Sequence, residues 1–283
     1  MADAGHVIFI GAGPGAADLI TLRGARLLER ADVVLYDALT DPALREFALH
    51  AEWIHVGKRG FCDSTGQTAI NALLVRHALA GRCVVRLKGG DPSVFGRLEE
   101  ELLALGQAGI ACEVVPGVTA AIAAAAATQR PLTRRGTGRS VSLTTAMTRE
   151  RSLQAGRSAD TEVFYMAGKQ LAALARRLLA AGWPDDTPAS VVSRAGWPDQ
   201  LHSTHTVATL GQAAMLHAGR PSVVTIGAGA AAVDESGSGS SSGSEPRSLA
   251  SSATDMTRRD VMSTEPDATP HRATAPSPTG GDG

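Results

Sequence analysis

Aromatic side chains make up only 4% of the 283 residues, and cysteine occurs three times. Cys62, Cys83 and Cys112 are odd in number and widely spaced, which supplies neither a disulfide framework nor a metal-ligand pattern. Cys83 and Cys112 lie in apolar runs and read as small core residues. No apolar stretch approaches the roughly 18 residues that a membrane helix needs. The opening Met1-Ala2-Asp3-Ala4-Gly5-His6 lacks the basic start and apolar core of a signal peptide. The eight histidines form no metal signature; His202 and His205 stand three apart, but no acidic partner frames them. The expectation is a cytoplasmic protein with no metal and no membrane partner.

Charge is balanced overall at −1 but unevenly spread. From residue 234 onward there are eight acids and four bases, which leaves the preceding chain with three more bases than acids. That last stretch is rich in Ser, Gly, Thr and Pro and contains no aromatic residue. It cannot bury enough apolar surface to offset the entropy of ordering itself, so 234–283 reads as a disordered tail without a catalytic role.

What precedes the tail alternates between short apolar runs and helical spacing. Val7-Ile8-Phe9-Ile10, Val33-Val34-Leu35-Tyr36, Trp53-Ile54-His55-Val56, the run from Cys83 to Leu87, and Glu113-Val114-Val115 read as buried strands. Helices fit between them, notably Thr68 to Ala80 and Leu98 to Gly106. Such alternation means βαβ units and a parallel sheet. Pro116-Gly117 marks a boundary. Beyond it come a helix over Val118 to Thr128, strands at Ser140 to Thr145, Glu162 to Met166, Ala189 to Ser193 and Val223 to Ile226, a helix from Gln170 ended by Gly182, and another around Leu210 to His217. Residues 202–205 fit a strand or a loop. The expected architecture is two α/β domains with largely parallel sheets, 5–115 and 116–233, and a cleft between them.

Two glycine-rich loops follow strands. Gly11-Ala12-Gly13-Pro14-Gly15-Ala16 satisfies a relaxed dinucleotide fingerprint, with Asp32 and Asp37 near the acidic position, so an NAD-binding oxidoreductase is one reading. Pro14 removes a donor from the middle of that cradle, and a single dinucleotide site leaves the second loop, Lys88-Gly89-Gly90-Asp91-Pro92, unexplained. Ligands of open α/β sheets bind outside the carboxyl ends of the strands, where both loops fall.

The combination of segments is more specific. Gly11 to Gly15, Leu35-Tyr36-Asp37-Ala38-Leu39, Val56-Gly57-Lys58-Arg59, Arg86 to Pro92, Glu113 to Ala120, Pro131-Leu132-Thr133-Arg134 and Val163-Phe164-Tyr165-Met166, in this order, resemble the tetrapyrrole methylase family. Within it the blocks are most similar to the branch acting on uroporphyrinogen III, over roughly residues 6–227. The resemblance implies methyl transfer from S-adenosylmethionine to β-carbons of two pyrrole rings, giving precorrin-1 and then precorrin-2 for sirohaem or cobalamin, by a homodimer. It implies that Pro14, Gly89, Gly90, Asp91, Val94, Thr119, Ala120, Met166, Ala195 and Ser222 hold the methyl donor. Asp37 would accept a proton and Lys58 would donate one.

Uroporphyrinogen carries eight carboxylates, and guanidinium groups pair bidentately with carboxylates. Arg59, Arg97, Arg130, Arg134 and Arg135 are therefore the candidate substrate contacts. No aromatics are interleaved with this basic cluster, so a nucleic-acid surface is not expected. The sequence departs from the family pattern at Ser93, Leu98-Glu99, Arg134, Ala146 and Ala167. Another precorrin methyltransferase, the NAD-binding oxidoreductase and a non-catalytic tetrapyrrole-binding protein are the other readings.

Overall fold

Strand β1 (His6–Gly11) sets the pattern of the first half of the chain, because its side chains alternate between two apolar layers. Val7 and Phe9 join Leu35, Leu74, Val84 and Leu105 on one face of the sheet. Ile8 and Ile10 join Leu28, Val34, Leu44, Val85 and Leu87 on the other. With both faces covered, β1 is buried from Val7 to Gly11, which is why it reads as a continuous apolar run. This computed structural model describes residues 5–57, 66–146 and 155–233. The segment read from sequence as a disordered tail lies outside the described residues, as do Lys58, Arg59 and Cys62.

The first sheet holds β1, β2 (Val33–Tyr36), β3 (Glu52–His55), β4 (Cys83–Lys88) and β5 (Cys112–Val115) in the order β3-β2-β4-β1-β5, and every pairing is parallel. Helix α1 (Leu22–Leu28) is capped by Thr21, whose Oγ1 accepts the Gly24 N–H at 3.1 Å. Helices α2 (Gln67–Leu79) and α3 (Leu98–Gln107) cover the opposite face through Ile70, Leu74 and Leu105. Pro42–Ala48 forms a 3-10 helix whose start is capped by Asp41. Because β5 is an edge strand, Cys112 is exposed and not a core residue as its apolar setting suggested.

The second sheet holds β6 (Val141–Thr145), β7 (Thr161–Tyr165), β8 (Pro188–Ser193), β9 (Leu201–Thr206) and β10 (Ser222–Gly227) in the order β6-β7-β10-β8-β9. Here the expectation of a largely parallel sheet is corrected. Only β6 and β7 run parallel; β7–β10, β10–β8 and β8–β9 are antiparallel. The short connection 194–200 leaves no room for the dozen or more residues of a parallel crossover, so β8 and β9 must form a hairpin. Helix α5 (Leu171–Ala180) packs Leu171, Leu174 and Leu178 on one face, and Gly182 follows it at φ +88°. Helix α4 (Ala120–Thr128) packs its alanines on the other face, against Val163, Val192 and Val223. The helix expected around Leu210 to His217 is only a 3-10 segment, Leu210–Ala214, with Gly211 near its start.

Candidate active site

The two glycine loops close on each other. Lys88 O accepts the Ala12 N–H at 2.8 Å, Gly90 O accepts the Gly13 N–H at 3.3 Å, and Gly13 O accepts the Gly90 N–H at 2.7 Å. Gly13 and Gly90 both sit at positive φ, +79° and +73°, which permits this cross-loop pairing. Ala16 N–H goes to Gly196 O at 2.8 Å, and the Trp197 indole donates to Pro14 O at 3.1 Å. The amides of 12, 13 and 16 are thus committed and Pro14 has none. A pyrophosphate cradle at this loop, the basis of the dinucleotide reading, keeps only the Gly15 amide as a donor among residues 12–16.

Asp91 fixes the next segment. Its Oδ1 accepts the Ser93 N–H and its Oδ2 the Gly117 N–H, both at 2.8 Å. A Cβ on Gly117 would strike the Gly90 carbonyl, so only glycine allows the two loops to meet. Between these loops and the ends of β7, β8 and β10 lies a cavity of about 240 Å³. All ten residues that the resemblance implies for the methyl donor border it: Pro14, Gly89, Gly90, Asp91, Val94, Thr119, Ala120, Met166, Ala195 and Ser222.

Sequence reasoning missed eight other lining residues, among them Phe95, Tyr165, Arg194 and Trp197. Three of them belong to the chain's ten aromatic residues (five Phe, three Trp, two Tyr), so their gathering here is a signal that scarcity alone could have raised. Tyr165 shares a hydrogen bond with Thr119 Oγ1 at 2.8 Å, and its ring centroid lies 5.0 Å from that of Phe95. Phe95, Met166 and Arg194 all adopt left-handed backbone conformations, φ +53°, +59° and +52°, costly for residues with side chains. Such backbone strain concentrates at ligand-contacting sites. Met166 directly follows β7, borders this space and is 57% exposed.

Asp37 stands at the same carboxyl rim, directly after β2. Its Oδ1 accepts from Arg86 Nη2 at 2.6 Å. Arg86, on β4 opposite Leu35, is only 3% exposed, and it also donates Nε to Glu101 Oε1 at 3.0 Å and Nη1 to the carbonyls of Leu35 and Leu87. Glu101, fully buried on α3, receives Lys88 Nζ on Oε2 at 2.6 Å. Burial opposes the Arg86 charge, but Asp37 and Glu101 outweigh it and raise its pKa above the ordinary guanidinium value. Burial first, and then the neighbouring Arg86 charge, lower the pKa of Lys88 despite Glu101. No described residue donates to Asp37 Oδ2, which leaves that oxygen for a ligand.

The remaining candidates are scattered. Lys58 and Arg59 lie outside the described residues; the preceding Gly57 packs so closely on the Ala38 amide that a Cβ would clash. Arg97 is held by Glu100 through two bonds of 2.7 Å, and it borders an open groove of about 860 Å³ along α3 that shares Phe95 with the cavity. Arg130 donates to Thr204 Oγ1 at 2.8 Å and approaches His202 on edge strand β9. Arg134 binds the carbonyls of Ala231 and Ala232 beside a separate hollow near Gly227, at the opposite end of β10 from Ser222. Arg135 is exposed. The structure therefore brings Arg97 next to the cavity but not Arg130 or Arg134, whose guanidinium groups are already engaged. Among the described residues no cluster of His, Cys, Asp or Glu could hold a metal, and no helix is long and apolar enough to cross a membrane.

Residues 6–214 match the family of Tetrapyrrole (Corrin/Porphyrin) Methylases. A uroporphyrinogen-III C-methyltransferase from Pseudomonas aeruginosa is 47% identical over 195 residues, 68% of this chain and 80% of that protein. A siroheme synthase from Neisseria meningitidis is 44% identical over 229 residues, 79% of this chain but 48% of the relative, so the chain spans about half the length of such synthases. A crystal structure of uroporphyrin-III C-methyl transferase from Thermus thermophilus complexed with S-adenyl homocysteine superposes with a TM-score of 0.69 at 35% identity, covering 79% of this chain and 97% of that one.

Proposed function

Because the chain belongs to the tetrapyrrole methylases, we propose that it methylates uroporphyrinogen III twice, to precorrin-1 and then precorrin-2, in the cytoplasm and as a homodimer. The product would feed sirohaem or cobalamin synthesis. The observation that carries this reading is the single cavity bordered by all ten residues that the resemblance implies for the methyl donor.

The cavity suits S-adenosylmethionine. Its walls are largely apolar and aromatic, with a few polar groups at fixed places, as small-molecule sites require. Phe95, Tyr165, Met166 and Trp197 would enclose the adenosine portion, while the small residues Gly89, Gly90 and Ala120 let main chain approach closely. When bound, the sulfonium supplies an already electrophilic methyl group, so the protein's main contribution is orientation.

Each methyl gained costs the macrocycle a proton, which needs an acceptor. Asp37 Oδ2 is the candidate: Arg86 ties down Oδ1 and holds the carboxylate at the rim. Lys58 is proposed as the proton donor. Arg97, Arg59 and Arg135 remain the proposed contacts for substrate carboxylates. Arg97, held by Glu100, and Arg130 and Arg134 would each have to exchange present partners to bind them.

Calorimetric titration tests the cofactor class. S-adenosylhomocysteine should bind with a Kd on the order of micromolar, about −8 kcal/mol, and NADH should not bind; the reverse pattern overturns the reading. Asp37→Ala should lower kcat for uroporphyrinogen III by roughly 10²–10⁴-fold while the affinity for S-adenosylhomocysteine stays within about twofold. A variant that methylates like the parent removes Asp37 from proton transfer.

A further inference from the structure

The carboxyl rim does not end at Asp37. On its far side, between the ends of β2 and β3, lies a second cavity of about 370 Å³, bordered by Tyr36, Asp37, Thr40, Arg45, Trp53 and His55. Arg45 supplies the guanidinium among these described residues. It projects from the 3-10 helix Pro42–Ala48 over two aromatic rings, with its guanidinium carbon 5.2 Å from the Tyr36 centroid and 5.6 Å from that of Trp53. Its Nη2 donates to the Tyr36 hydroxyl at 2.6 Å.

The rings that carry it are themselves fixed. The Trp53 indole donates to Ala48 O at 2.9 Å, and Tyr36 meets Trp53 and His55 edge-on at 5.5 and 5.2 Å. The guanidinium is therefore oriented without being neutralised. No described carboxylate lies within ion-pair distance of Arg45. The two carboxylates bordering the same cavity are engaged elsewhere, Asp37 by Arg86 and Asp41 Oδ1 by the amide of Ala43. A stacked guanidinium keeps a planar fork of N–H donors facing outward, which matches a carboxylate and no neutral group as well.

We propose that Arg45, held over Tyr36 and Trp53, is a docking point for one carboxylate arm of the substrate. It would anchor the polyanionic ring on the side of Asp37 away from the methyl-donor cavity. The inference rests on the reading of the chain as a methylase of a polycarboxylate tetrapyrrole. Asp37 borders the new cavity, and Leu39, two residues on, borders the methyl-donor cavity, so the two spaces flank the proposed proton acceptor. A ligand with arms on every ring can reach both.

The test is Arg45→Gln, with Arg45→Lys beside it, in the full chain. For Arg45→Gln the KM for uroporphyrinogen III should rise about tenfold or more, far more than kcat falls, and the Kd for S-adenosylhomocysteine should stay at the parental value. Arg45→Lys keeps the charge but loses the planar fork, so its KM should fall between the two. Direct binding of uroporphyrin, the stable oxidised polycarboxylate, followed by fluorescence, should weaken by a similar factor in Arg45→Gln. A parental KM and parental uroporphyrin affinity in Arg45→Gln overturn the docking point and leave the methylase reading standing. A parent chain that neither methylates uroporphyrinogen nor binds uroporphyrin overturns both.

Discussion

Behind the first sheet, Arg86, Lys88 and Glu101 are buried as charges and hold one another at 2.6–3.0 Å. Behind the second sheet, His217 is equally buried but is held by hydroxyls and not by carboxylates, with Nδ1 2.8 Å from Ser193 Oγ, which also accepts from Arg220 Nε at 3.2 Å, and Nε2 2.8 Å from Ser203 Oγ, which also meets His205. Both arrangements satisfy polar groups away from water, and they serve different ends. The ionic one reaches the carboxyl rim through Asp37, where a charge must be held in place. The hydroxyl–imidazole one ties strands β8 and β9 to the segment after Leu210–Ala214, and none of its own members lines the cavity. Buried ions are costly to bring out of water, so their presence on one side points to the rim they serve.

Removing the anion from the ionic cluster is the severest way to break this contrast. Glu101→Leu leaves Lys88 and half of Arg86 uncompensated, and should cost about 3–5 kcal/mol, a fall of roughly 10 °C in Tm by calorimetry. The double variant Lys88→Met, Glu101→Leu should recover part of that loss, because it removes the orphaned Lys88 charge while Arg86 keeps Asp37.

The hydroxyl–imidazole chain predicts a pH effect instead. Burial, then His205, Arg220 and His202, lower the pKa of His217 below the ordinary 6.5. The unfolded chain therefore takes up a proton first as the pH falls, and this contribution to stability is intact above 6.5 and lost progressively below it. Its slope is at most about 1.4 kcal/mol per pH unit for one histidine. His202 and His205 are lowered as well, chiefly by burial, and add to the same limb. His217→Gln should flatten the decline of Tm between about pH 6.5 and 5.5; an unchanged slope would assign the decline to other groups. The smallest effect belongs to an exposed pair. Breaking Arg97–Glu100 with Arg97→Gln should change stability by no more than about 1 kcal/mol, since solvent screens it.

Legibility in the sequence followed burial. Strands β1, β2 and β4 are covered on both faces, so each reads as a largely apolar run, interrupted in β4 by Arg86, and was readable directly. Strand β9 lies at an edge with partial exposure, and its alternating Leu-His-Ser-Thr-His-Thr carries too little apolar signal to separate strand from loop. Strand direction in the second sheet was invisible for a different reason. Periodicity reports which residues face the core, and it is the same for parallel and antiparallel partners.

The site divides along the same line. Glycines that must sit at positive φ or touch another backbone, such as Gly90 and Gly117, announce themselves in the chain because no other residue fits there. Arg86 and Glu101 stand fifteen positions apart on a strand and a helix, and only the crossover that lays α3 on the sheet turns them into one ion cluster. The sequence by itself determined the alternating elements of the first half, the glycine loops and the family's ordered motifs, all of which depend on local geometry or on residue type. Tertiary structure alone decided that those loops spend their amides on each other, that Phe95, Tyr165 and Trp197 line one cavity, and that Arg130 and Arg134 face elsewhere. Those outcomes are set by which distant segments come to share a volume, and no window of neighbouring residues encodes that.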